Sequence, residues 1–191
     1  MATISKDRAS AGSGAAAFFG AAAVGVVAGL TANIARKAAV QGVTAVSGDW
    51  LEGLKAEHAM TLKIFDGIEA TKDDQTGKRS FLLMQLKHAL GKHAFQEENV
   101  VYASLRKFGL AEEADKFSHE HAYVKQHLFN LTELPKDDPA WIEEVRAFRR
   151  EIEQHIRTEE DTVFPRLHEK LGDEGNKHIT WSMNKEGFKL A

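Results

Sequence analysis

HAFQEENVVYASL (residues 93–105) and HIRTEEDTVFPRL (residues 155–167) decide how this chain folds. His93 answers His155, Glu97 answers Glu159, Glu98 answers Glu160, Val101 answers Val163 and Tyr102 answers Phe164, all at an offset of 62 residues. Upstream, Glu57-His58-Ala59 is repeated as Glu120-His121-Ala122 at an offset of 63. The chain is therefore an internal duplication of one unit, a single His followed 34 or 35 residues later by His-x3-Glu. Residues four apart on an α-helix lie about 40° apart around its axis, so each His-x3-Glu presents a nitrogen and an oxygen from one face. A single such pair is commonplace on helix surfaces. Two of them, in register with a repeated upstream His, are not.

Working outward, the apolar spacing is helical throughout. Asp49 caps a first helix with the stripe Leu51, Leu54, His58, Leu62, Phe65 and Ile68, and Thr71 to Gly77 reads as its turn. A second helix runs from about Lys78 to Phe108 and ends at Gly109. The third runs from Leu110 to about Leu134, where Pro135 stops it. Asp138-Pro139 opens a fourth that reaches about Leu171, before Gly172, and Pro165 is expected to bend it. Long helices with short connections predict an all-α, antiparallel up-down four-helix bundle over residues 49–172, in two repeats of about 50–108 and 110–171. Residues 173–191, with Trp181 and Phe188, read as a tail lying over one end.

Such a bundle gathers His58, His93, His121 and His155 around its interior, with Glu97 and Glu159 beside them. Burying imidazoles and carboxylates costs several kcal/mol unless something compensates them. Imidazole plus carboxylate suits iron, manganese or zinc, and two carboxylates inside a bundle suit a bridged metal pair. The chain has no Cys, which excludes thiolate zinc, cysteine-ligated iron clusters, disulfides and a cysteine nucleophile. A formal net charge of −3 gives no basic excess for a nucleic-acid partner. The ferritin-like di-iron pattern needs Glu-x2-His, whereas here His precedes Glu at a spacing of four.

With EHA at His58 and His121, HAFQEENVVY at His93 and HIRTEEDTVFP at His155, the chain resembles the hemerythrin-like proteins of the HHE cation-binding group over roughly residues 50–171. The resemblance implies a four-helix bundle of hemerythrin type holding a non-haem di-iron centre, two iron ions with an oxo or hydroxo bridge, that takes up O2, NO or peroxide. By position it implies His58, His93, His121 and His155 as terminal ligands and Glu97 and Glu159 as bridging ones. Some relatives place the last carboxylate five residues after its His, which here is Glu160; five residues of α-helix turn that side chain about 140° away from the His, which favours Glu159. Oxygen carriers of the family add a fifth His on the third helix, where this chain has Phe117 and Lys125 four residues to either side of His121. About one open position per metal then remains, which points to sensing or to oxidative or iron stress handling rather than oxygen transport. A peroxide-degrading or oxidising enzyme and an iron-sequestering protein are the alternatives, and the spacing does not choose between a binding protein and an enzyme.

His88, His119, His127, His168 and His178 fall off the inward stripe or beyond the bundle and are not read as ligands. Glu98 and Glu160 are read as supporting the ligands or facing solvent, Tyr102 as a packing residue because its counterpart is Phe164, and Lys125 as a stem along the core with its amine at the solvent edge.

Residues 1–48 differ in kind. The first fifty residues hold 15 Ala and 7 Gly and only six charged side chains. A helix through residues 15–34 is about 30 Å long, with Gly25 and Gly29 as a GxxxG pair, which fits self-association into a homo-oligomer or attachment to a membrane. A signal peptide and a soluble helix packed on the bundle are the plainer alternatives. No cleavage site stands out near residues 32–36, so the expected location is cytoplasmic, with possible membrane association through this helix.

Overall fold

The computed structural model describes residues 48–190; the Ala/Gly-rich helix expected over residues 15–34 lies outside them. The described residues form helices joined by short turns, with no strand among them. Helix α1 is Trp50–Glu69. Helix α2 spans residues 76–107, as α-helical Thr76–Gln96, π-helical Glu97–Val101 and α-helical Tyr102–Lys107. Helix α3 is Ala111–Glu133. Helix α4 spans residues 139–171: Pro139–Thr158, a second π-helical segment Glu159–Val163, and the start of Phe164–Leu190. Helix α5 is the rest of that stretch, residues 173–190. Among the described residues no helix is long and apolar enough to cross a membrane.

The ends of the helices follow from local chemistry. The carboxylate of Asp49 accepts from Leu51 N at 2.9 Å, and that of Asp138 accepts from Ala140 N at 2.8 Å, each satisfying a backbone donor that helix geometry leaves unpaired. After α2, Gly109 takes φ 78° while Leu110 N reaches back to Leu105 O at 2.9 Å, a turn that L side chains resist. The bend expected at Pro165 is absent: the backbone through it stays helical, and the break falls at Gly172, with φ 60° and ψ −177°.

The break at Gly172 makes residues 173–190 a fifth helix rather than an irregular tail. It buries Asn176, Ile179 and Met183, whereas Trp181 and Phe188 stay exposed. The Trp50 indole donates to Asn176 Oδ1 (2.9 Å), Trp50 N to Thr180 Oγ1 (3.0 Å), and Gln96 Nε2 to Met183 O (3.0 Å), which tie α5 to the start of α1 and the middle of α2.

The bundle has two apolar cores with a polar layer between them. One, around Trp50, Leu54, Leu105, Phe117, Phe164 and Met183, fills the end capped by α5. The other, around Phe65, Ile68, Leu86, Trp141, Val145 and Phe148, fills the opposite end. There Arg79, almost wholly buried, donates to Thr71 Oγ1, Asp73 and the carbonyl of Lys136, and its guanidinium lies 5.1 Å from the Trp141 ring centre, tying two inter-helix turns together.

Candidate metal centre

The polar layer is built from all six residues of the duplicated motifs. His58 from α1, His93 and Glu97 from α2, His121 from α3 and His155 and Glu159 from α4 are all buried, with both glutamates fully out of solvent. Their donor atoms form two groups that share Glu97: His58, His93, Glu97 and Glu159 make one, and Glu97, His121 and His155 the other. Each carboxylate straddles the two. Glu97 Oε1 lies 3.2 Å from His93 Nε2 and its Oε2 3.4 Å from His121 Nε2. Glu159 Oε1 lies 3.2 Å from His155 Nε2 and its Oε2 3.5 Å from His58 Nε2.

Every imidazole is held from behind by a different glutamate. His58 Nδ1 donates to Glu160 (2.7 Å), His93 Nδ1 to Glu57 (3.1 Å), His121 Nδ1 to Glu98 (3.0 Å) and His155 Nδ1 to Glu120 (2.7 Å). Glu57 and Glu120 serve the next helix of their own repeat, while Glu98 and Glu160 reach across to the other. A proton fixed on Nδ1 leaves the Nε2 lone pair facing inward, the tautomer that a metal ligand needs. Glu160, in this arrangement, braces His58 and Glu159 occupies the interior.

What the inward atoms lack is a partner. Glu97 Oε1, Glu159 Oε2 and His155 Nε2 are buried with no hydrogen-bond partner. His58 Nε2 and His93 Nε2 face each other at 2.9 Å although both rings already donate through Nδ1. Two lone pairs at that distance repel unless a proton or another cation lies between them. The electrostatics of the site make the same demand. Burial disfavours a charged His155, but Glu159 and Glu120 outweigh it and raise its pKa to about 10. Burial likewise opposes charge on His93, yet Glu97 and Glu57 hold its pKa well above the ordinary value. Burial also opposes ionisation of Glu97 and Glu57; the histidines nevertheless hold Glu97 well below the carboxylate range, and His93 with Lys92 brings Glu57 to about 2. The site is a pocket of negative charge that binds protons tightly where a metal ion would replace them, so its donor set fits a metal pair.

Tyr102 is more than packing. Its hydroxyl faces Glu159 Oε1 at 2.8 Å, Glu97 Oε2 at 3.1 Å and His121 Nε2 at 3.1 Å, inside the second group, while its counterpart Phe164 belongs to the apolar core. Burial, then the two carboxylates, push its pKa well above 10, so it is a phenol there. The π turns make this possible. Tyr102 N–H bonds Glu97 O, and Phe164 N–H bonds Glu159 O, five residues back in each case, so the glutamate and the aromatic residue share the inward face. Phe117, four residues before His121, packs edge-on against His155 with ring centres 5.2 Å apart.

The other histidines stay outside the cluster. His88, His119 and His178 are exposed, His127 stacks on Phe148 and pairs with Glu144 and Glu151, and His168 pairs with Asp49. Lys125 is 71% exposed, 3.7 Å from Glu98. The braces Glu57 and Glu120 were legible only as the first letter of the repeated EHA.

The model of the hemerythrin HHE cation-binding domain family matches residues 50–167. An uncharacterized hemerythrin-like protein of Schizosaccharomyces pombe is 27% identical over 133 residues, 68% of this chain and 64% of the yeast protein, so the chain spans less than two thirds of that relative. No solved structure gives a significant match. This chain belongs to the hemerythrin HHE cation-binding family.

Proposed function

We propose that the polar layer holds two iron ions joined by an oxo or hydroxo bridge, with His58 and His93 on one, His121 and His155 on the other, and Glu97 and Glu159 across both; manganese or zinc would suit the same donors. The observation that carries this reading is the inward convergence of unpartnered Nε2 and carboxylate atoms, each imidazole locked by its own glutamate. Iron there supplies redox chemistry and open positions for a small oxidant, O2, NO or peroxide, and the protein serves in sensing or in oxidative or iron stress handling. The side chains contribute orientation and exclusion of water: the braces fix the tautomers, the two cores close the layer above and below, and the Tyr102 hydroxyl keeps a proton at the carboxylates.

The test is the metal content per chain of protein loaded with ferrous iron without air, and its optical spectrum before and after exposure to air. Two irons and an oxo-to-iron absorption band are expected; protein that binds no iron overturns the reading. Tyr102, an oxidisable phenol touching both carboxylates, favours a second reading in which the loaded protein breaks down peroxide. Oxygen evolution from peroxide, lost in His93→Ala, would establish it. For residues 15–34 we propose self-association or membrane attachment; deleting residues 1–45 is expected to reduce particle size or abolish partitioning to lipid vesicles.

A further inference from the structure

On the side of the histidine layer away from the carboxylates lies a small cavity of about 20 Å³. It is walled by the four imidazoles and by a ring one helical turn further along the bundle: Thr61, Leu90, Val124 and Ile152, each three residues from its histidine. A shallow groove of about 200 Å³ between α2 and α3 shares Leu90, Ala94, His121 and Val124 with it and opens toward solvent. A volume near 20 Å³ holds one molecule of a few atoms at most.

The ring obeys the duplication, Leu90 answering Ile152 and Thr61 answering Val124, and at that last pair an apolar residue faces a polar one. Thr132, Thr158 and Thr180, also on helices, each satisfy the hydroxyl by donating to the carbonyl four residues back, at 2.6, 3.0 and 2.9 Å. Thr61 makes no such bond to the carbonyl of Glu57: the residue is 4% exposed and lines the cavity, which leaves its hydroxyl available to whatever the cavity holds. It is the one hydroxyl-bearing side chain in the cavity wall.

We propose that Thr61 donates a hydrogen bond to the small ligand taken up beside the histidines; the inference rests on the metal reading above. A ligand of two or three atoms that carries negative charge or accepts a hydrogen bond fits both the room and the donor. Larger substrates do not. The position also makes the site one-sided, because Val124 across the ring offers nothing equivalent.

Azide titrated into the iron-loaded, air-oxidised protein is the probe, read by its absorption band, with iron content measured on the same samples. Thr61→Val, which copies the residue of the second repeat, is expected to weaken azide binding about tenfold at unchanged iron content. Thr61→Ser keeps a hydroxyl and is expected to stay within about threefold of the parent. The azide stretching frequency should shift on transfer to D2O in the parent and in Thr61→Ser, but not in Thr61→Val. Equal affinity and equal D2O sensitivity in Thr61→Val would overturn the proposal while leaving the metal centre standing; a parent protein without iron would overturn both.

Discussion

The first half of the duplication, α1 with α2, and the second, α3 with α4, present the same donor atoms in different surroundings. Glu57 is buried and clamped by Lys92 at 2.7 Å as well as by His93, whereas its counterpart Glu120 is partly exposed and its lysine, Lys116, stands 3.7 Å away on the surface. Tyr102 and Thr61 bring hydroxyls to either side of the histidine layer from the first half; Phe164 and Val124 bring none from the second. The duplicated geometry is what gathers the donors, and the departures from it are what make the two positions chemically unequal.

The largest expected effect tests where the halves act as one. Because each carboxylate spans both groups, Glu97→Ala and Glu159→Ala should each abolish binding of both metals, measured as metal per chain; retention of one ion by either variant would show that the two positions fill independently. Next come the braces. Loss of such a carboxylate typically costs 10–100-fold in metal affinity. Glu57→Gln should lie at the upper end and Glu120→Gln at the lower, by competition against a chelator, because Glu57→Gln also strands the buried Lys92.

The acid–base behaviour sharpens the comparison further. The raised His155 stabilises the metal-free fold in full below pH 6.5 and progressively less as pH climbs toward about 10. The melting temperature of metal-free protein should therefore fall across that interval, and the fall should shrink once metal has replaced the protons. Tyr102→Phe, which makes the first half resemble the second, should retain metal and change the optical spectrum, with stability altered by about 1–2 kcal/mol. Lys125→Ala should do least: its exposed pairing with Glu98 contributes under about 1 kcal/mol, so metal content and melting temperature should stay where they were.

Much of this was readable beforehand, and for physical reasons. The stripes through Leu54, His58 and Phe65 and the caps at Asp49 and Asp138 are local signals, and a repeated His-x3-Glu has few ways to be buried except together. Three things were not. The brace of one histidine comes from another helix, so Glu57 facing His93 leaves no trace in spacing along either. A π turn has no residue signature: regular α-helix turns residues five apart onto different faces, whereas Glu97 and Tyr102 share the inward one. And α5 is anchored by polar atoms of Asn176, Thr180 and the Met183 carbonyl, which weigh little in an apolar pattern dominated by Trp181 and Phe188.

The wide turns at Glu97–Val101 and Glu159–Val163 also limit how this chain can change in length. Deleting Asn99 or Asp161, both on the surface, would let the helix close to its regular winding and swing everything beyond by about 100°. Leu105 or Leu167 would then leave the apolar interior. A residue lost from the connection at 72–75 displaces a surface loop, while one lost here rephases half a helix; the count of residues between glutamate and aromatic is thus under tighter constraint than most of their identities.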